Sequence, residues 1–205
     1  VNAPINEKHF SNTLEKGSGL AQYIAKQLGN TGDVLEMVLN ECLRITSVSG
    51  DLALRDVESE VTKEKIEQTV KLLHQSLRRD FMISIPRIAI LALNPALEDA
   101  SDKEEQQVIS PAIKQLIDDG IAAFGLYQAE HFFEDRAFDT FDAVVAMNHD
   151  QAMTPFKTLS YDGGVRFVTG LSAVVTSTDD EALSPQAGQG VANELALRHA
   201  IYLAI

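Results

Sequence analysis

The chain predicts an α/β fold with a largely parallel sheet, in one large domain or two small ones. Two apolar runs carry that prediction: Arg87 to Leu93 (RIAILAL, after Pro86) and Ala143 to Met147, each nearly continuous, as in strands covered on both faces. Helical patterns flank the first run, one from Thr62 to Phe81 and one from Val108 to Ile117. Strands alternating with helices of this length build parallel βαβ units.

Val1 to Ile5 resembles the end of a buried strand that turns into a loop at Pro4, so the chain is expected to begin mid-fold. From Phe10 to Leu28 the pattern is helical but broken by Gly17 and Gly19, which predicts a loop, then a helix from about Gly19 that Gly29 closes. Val34–Leu39 and Leu43–Val48 are short enough for strands, although the Leu-rich first run suits a helix equally. Thr62 can cap the next helix, with Glu64 in its positive first turn and Val61 and Ile66 at the spacing of a hydrophobic staple. Val70, Leu73 and Leu77 continue its apolar face towards Phe81. Lys65 occupies the position where a capping box would need Glu or Gln.

After Asn94 and Pro95, the acidic run from Asp99 to Glu105 is read as a solvated loop. Val108, Ile109, Ala112, Ile113, Leu116 and Ile117 then mark a helix that Gly120 can terminate. A short strand is expected around Ala122–Phe124, a turn at Asp162, Gly163 and Gly164, strands near Val165–Thr169 and Ala173–Thr176, and a last helix from about Gly190.

With 205 residues, 45% of them hydrophobic, the chain can bury a substantial core. No apolar run approaches the roughly 18–20 residues of a membrane span, and no secretory pattern opens the chain, so a cytoplasmic setting is expected. Cys42 is the single cysteine, which rules out an internal disulfide and predicts a small buried side chain. A net charge of −13 argues against nucleic acid or an anionic membrane as partner, and any anionic ligand needs a local basic pocket.

In open parallel sheets ligands gather at the carboxyl ends of strands, and Ser49–Asp51, Asn94–Glu98 and Asn148–Gln151 all follow predicted strands. The last belongs to AMNHDQAMTPFKTL, Ala146 to Leu159, which sets His149, Asp150, Gln151 and Lys157 close together. A neutral imidazole can hold a divalent metal, Asp150 can orient its second nitrogen, and Lys157 can meet a phosphate. The same residues also suit a plain helix start, with Asp150 near the positive end and Lys157 in solvent. His9 and His131 read as surface residues, His74 and His199 as boundary residues on helices. Gly17-x-Gly19 and Gly188-x-Gly190 each lack the third glycine of a dinucleotide fingerprint. Ser18, Ser49 and Ser177 lack the partners of a hydrolase triad.

The chain resembles the NAD-dependent 4-hydroxythreonine-4-phosphate dehydrogenases of pyridoxal 5′-phosphate biosynthesis. Ala3-Pro4-Ile5-Asn6 resembles that family's Ala-Pro-Ile-Asn-Lys segment, with Glu7 in place of lysine. PRIAILALNP from Pro86 resembles its Pro-Arg-Ile-Ala strand ending in Asn-Pro-His, and AMNHDQAMTPFKTL its Ala-Met-Tyr-His-Asp-Gln-Gly segment. AGQG from Ala187 and AIYLAI at the end keep the register. The resemblance implies a two-domain α/β fold with largely parallel sheets, related to isocitrate and isopropylmalate dehydrogenases, a homodimer, NAD, a divalent metal (zinc, magnesium or cobalt) and a small phosphorylated substrate. It places residues 1–145 mainly in the second, dimerisation domain. Residues 146–205 would form the C-terminal part of the first, nucleotide-binding domain, with that domain's N-terminal part absent from the chain.

Carried over residue by residue, the resemblance makes His149 one of three metal histidines, two of which come from one subunit and one from the other. Asp51 aligns with a second, and Ala96 with the third, where a methyl group has no lone pair to offer. Lys157 keeps a phosphate-binding lysine, and Arg166, where asparagine is usual, is a second substrate-binding candidate. Gly19-Leu20-Ala21-Gln22 aligns with Gly-His-Thr-Glu and lacks its His and Thr, and Val175 stands in place of an arginine. Gly188 and Gly190 fall at the nucleotide site, but Asp180-Glu181-Ala182-Leu183 replaces His-Gly-Thr-Ala with a sequence that would repel a pyrophosphate. The replacements predict an impaired or inactive enzyme. Two alternatives are a non-catalytic binding or assembly relative, and an enzyme of changed substrate that uses Asp51, His149, Lys157 and Arg166.

Overall fold

The computed structural model describes residues 1–4, 20–95, 103–160, 163–179 and 186–205. The readings made above for Asn6, Glu7, His9, Gly17, Ser18, Gly19, Ala96, Glu98, Asp162 and Asp180–Leu183 lie outside these residues. The chain forms two compact units, Val1–Asn40 with Ser160–Ile205, and Glu41–Leu159. These limits fall at 40/41 and 159/160, where the sequence suggested one division at 145/146.

The Glu41–Leu159 unit is the parallel α/β layer expected from the apolar runs. Its strands are β2 (Arg44–Ser47), β3 (Ile88–Leu91), β4 (Ala123–Tyr127) and β5 (Ala143–Ala146), in the order β4-β3-β5-β2 with every pairing parallel. Strands β3 and β5 are buried at every position, which is why both lack the alternation of a half-exposed strand. Between β2 and β3 come α2 (Leu54–Glu60) and α3 (Lys63–Arg79). Helix α2 has no sequence signature, because it buries only Val57. Helix α3 starts as predicted: Thr62 Oγ1 accepts the Lys65 N–H at 3.2 Å, and the staple residues Val61 and Ile66 are both buried. It ends at Arg79, where Asp80 caps the chain and accepts the Ser76 hydroxyl at 2.7 Å.

A π-helical turn, Glu105–Ile109, leads into α4 (Ser110–Asp118). Pro111 explains the widening, since in a regular helix its ring would meet the carbonyl four residues back. Gly120, with φ +83°, terminates α4 as expected. Strand β4 runs to Tyr127, beyond the predicted Phe124, and α5 (Ala129–Glu134) follows it unannounced. Its aromatic side chains pack with β4: the rings of Tyr127 and Phe132 lie 5.1 Å apart. Helix α6 (His149–Ser160) follows β5. Cys42 corrects its expectation. It lies exposed just before β2, and Leu43 takes the buried position.

In the other unit the strands are antiparallel. β1 (Leu35–Leu39) pairs with β6 (Val165–Thr169), and β6 with β7 (Val175–Thr178). The Leu-rich run is therefore a strand. β7 starts two residues later than the predicted Ala173, because residues 170–174 make the connection from β6, with Gly170 at φ +90°. α1 (Leu20–Gln27) closes at Gly29, φ +69°. Among the described residues 1–4, the expected N-terminal strand shows one parallel bridge, Asn2 to Ser177. The last helix, α7 (Leu195–Leu203), begins later than Gly190, which has φ +70° and turns the chain away from a helix; Asn193 Oδ1 instead receives the Leu195 N–H at 3.0 Å.

Candidate functional site

The carboxyl ends of β2, β3 and β5 lie side by side, so the loops after them meet. Val48 and Ser49 donate to the Ala146 and Met147 carbonyls at 2.9 and 3.2 Å, which joins the loop after β2 to the turn after β5. In that turn Asn148 Oδ1 accepts the Gln151 N–H at 3.0 Å, the geometry of a helix N-cap. The Gln151 side chain faces back: Oε1 accepts the Met147 N–H at 3.1 Å, and Nε2 donates to the Ala92 carbonyl at 2.8 Å. One amide thus binds the ends of β3 and β5 together.

Glu105 supports the same corner. Its Oε1 accepts the N–H groups of Leu93 and Asn94 at 3.0 and 2.8 Å, and its Oε2 the Asn94 amide at 3.0 Å. At 3% exposure it is a buried carboxylate satisfied by three donors, not the solvated residue the acidic run suggested. The missed signal is its spacing, for Glu105 shares a helical face with Ile109, Ala112, Ile113 and Leu116, all of them buried.

A pocket of about 210 Å³ opens here, lined by Asp51, Leu52, Leu54, Val57, Asn148, His149 and Asp150. Two of the predicted metal residues meet in it, with His149 Nδ1 2.8 Å from Asp51 Oδ1. The pair is open to solvent, with side-chain exposures of 41% and 85%. Two of the lining residues are carboxylates and none is Lys or Arg, so the field at the pocket disfavours an anion. Among the described residues no three His, Cys, Asp or Glu side chains converge. The described residues of one chain thus bring two possible donors together, Asp51 and His149, where zinc takes at least three protein ligands.

The other predicted residues stand apart from this pocket. Lys157 is exposed on α6 and does not line it. Arg166, on β6, has its guanidinium between two carboxylates, Nη1 2.5 Å from Glu36 and Nε 3.1 Å from the buried Asp179. Gly188 lies in an exposed turn closed by the Gln189 N–H on the Gln186 carbonyl at 3.1 Å, and Gly188 and Gly190 both have positive φ. Ala21 and Val175, at two positions where the family resemblance expects polar substrate contacts, come together in one apolar cluster. Val175 packs there against Ala21, Ala25, Val168 and Leu171, alongside Ile24 and Val34. His131 is exposed, and His199 Nδ1 lies 3.3 Å from the Gly163 carbonyl.

Comparison with known proteins identifies the family. The chain is 36% identical to a 4-hydroxythreonine-4-phosphate dehydrogenase of Bacteroides thetaiotaomicron, over 100% of this chain and 57% of that protein. It is 34% identical to the enzyme of that name from Roseobacter denitrificans, over 98% of this chain and 63% of the relative. The chain thus spans about three-fifths of the length of these relatives. The crystal structure of the 4-hydroxythreonine-4-phosphate dehydrogenase of Klebsiella pneumoniae superposes with a TM-score of 0.83 at 25% identity, covering 99% of this chain and 64% of that one. A sequence model described as pyridoxal phosphate biosynthetic protein PdxA matches residues 1–204, and the chain belongs to that family.

Proposed function

We propose that this protein is a diverged member of the 4-hydroxythreonine-4-phosphate dehydrogenase family whose NAD-dependent oxidation and decarboxylation of 4-phosphooxy-threonine is strongly impaired. The observation that carries this reading is the apolar cluster of Ala21 and Val175. A threonine and an arginine at those positions would present polar groups to a phosphorylated substrate, whereas here the side chains pack against one another. Each lost hydrogen-bonding group removes about 1–3 kcal/mol. Three such losses, at Leu20, Ala21 and Val175, lower kcat/KM by at least roughly a hundredfold at about 1.4 kcal/mol per decade.

In this reading the Glu41–Leu159 unit carries the loops of the metal site and the family's dimer contacts. The other unit contributes to the nucleotide-binding domain, with Gly188 and Gly190 facing NAD. The test is NADH formation by the purified protein from 4-phosphooxy-threonine with zinc, magnesium or cobalt supplied. Turnover at the rate of the Bacteroides relative would overturn the proposal. The same cluster also favours a non-catalytic binding or assembly role, because its packing stabilises the fold without serving a substrate. A thermal shift with NAD separates the two: an impaired enzyme retains it, and a non-catalytic relative shows none.

A further inference from the structure

We propose that the Asp51–His149 hydrogen bond stands in for the family's metal, so that the loops after β2 and β5 are joined by a carboxylate–imidazole pair and bind no divalent cation. The inference rests on the family reading above for the roles of positions 51, 96 and 149.

The geometry of the pair is that of a shared proton. Two donors on a tetrahedral zinc, each bonded at about 2.0–2.2 Å, stand about 3.4 Å apart. His149 Nδ1 and Asp51 Oδ1 are 2.8 Å apart, the ordinary separation of a charge-assisted N–H to oxygen bond. Magnesium, whose octahedral edge is shorter, prefers oxygen donors to imidazole. Composition points the same way. Of the other lining residues, Leu52, Leu54 and Val57 supply no ligand atom, Asn148 Oδ1 already accepts the Gln151 N–H, and Asp150 does not converge with Asp51 and His149 into a three-donor set among the described residues. Ala96, at the remaining family position, has a methyl side chain.

Replacing histidine by aspartate at position 51 therefore changes what the site does with His149. Two neutral imidazoles facing each other can share a cation through their lone pairs or form one neutral N–H to N hydrogen bond. An aspartate facing an imidazole accepts its N–H in a stronger, charge-assisted bond that leaves the carboxylate occupied without a cation. The two loops can then stay joined in the absence of metal, at the modest strength of an exposed pair.

The test is metal content and zinc titration of the purified protein. After dialysis against zinc and removal of excess, elemental analysis is expected to find far less than one zinc per chain, calorimetry to find no saturable heat, and the melting temperature to be the same with zinc and with EDTA. The double variant Asp51→His, Ala96→His, checked for native circular dichroism, is expected to retain zinc and to melt higher with it. About one zinc per wild-type chain, lost in His149→Ala, would overturn the inference. A folded double variant that stays metal-free would overturn the assignment of the loss to these two positions. A wild-type protein that binds zinc yet turns over poorly would sink this inference alone, and one that turns over normally without metal would sink only the impaired-enzyme reading.

Discussion

Gln151 Nε2 donates to the carbonyl oxygen of Ala92 at 2.8 Å, which ties the first turn of α6 to the end of β3 across 59 residues of sequence. The opposite atom of the same amide holds the Met147 N–H, so the side chain must be both donor and acceptor. Gln151→Glu keeps the shape but turns an acceptor towards the Ala92 and Leu93 carbonyls. It is expected to lose about 2–3 kcal/mol, the range for leaving buried polar groups unmatched. Urea denaturation measures this directly, and an unchanged midpoint would show that the amide is not structural.

Glu105 offers a sharper case, because three donors converge on one buried carboxylate. Glu105→Ala should destabilise the protein by about 3 kcal/mol or more, combining lost bonds to a charged group with unsatisfied N–H groups at Leu93 and Asn94. Glu105→Gln can restore some of the acceptors and should fall between the two. Guanidinium melts of the three proteins give the order, and an alanine variant as stable as wild type would refute it.

Arg166 and Lys157 were both expected to meet a phosphate, and their surroundings separate them. The Arg166 charge is offset by Glu36 and by Asp179, whose side chain is only 2% exposed. Removing the cation beside a buried carboxylate typically costs about 3–5 kcal/mol, so Arg166→Ala is expected to lower stability by about that amount. Lys157 is exposed, and Lys157→Ala should leave the urea midpoint within about 0.5 kcal/mol of wild type. Any phosphate affinity detected by titration should depend on Lys157 more than on Arg166. The reverse dependence would mean that Arg166 leaves its carboxylates to bind ligand.

Elements that bury a full stripe were legible from sequence. Strands β3 and β5, helix α3 with its Thr62 cap, and the three loops at the strand ends follow from apolar runs, spacing and capping chemistry. Helices α2 and α5 were not legible, because each buries a single side chain, Val57 or Phe132, and one residue sets no period. The antiparallel pairing of β1, β6 and β7 is a matter of strand direction, which residue pattern does not encode in short runs. At the site, the residues at 51 and 149 could be named, but the contact between them depends on loop geometry. Glu105 was hidden by its acidic neighbours, although its helical spacing marked it as buried.

His74 provides a prediction about pH. Burial on α3 holds its imidazole below the ordinary value of 6.5, and the nearby Arg78 adds repulsion in the same direction. The unfolded chain, with a histidine near 6.5, binds this proton more readily than the folded one. Stability from this group is therefore fully present above pH 6.5, declines as pH falls through the interval down to the folded value, and changes no further below it. Asp119, held low by its hydrogen bond to Lys71, makes its own loss only at more acid pH, below its ordinary 3.8, so the two effects fall in separate windows. His74→Gln should flatten the decline just below pH 6.5 and leave the acid limb intact. Urea midpoints across that range test this, and an unaltered slope in the variant would assign the decline to another histidine.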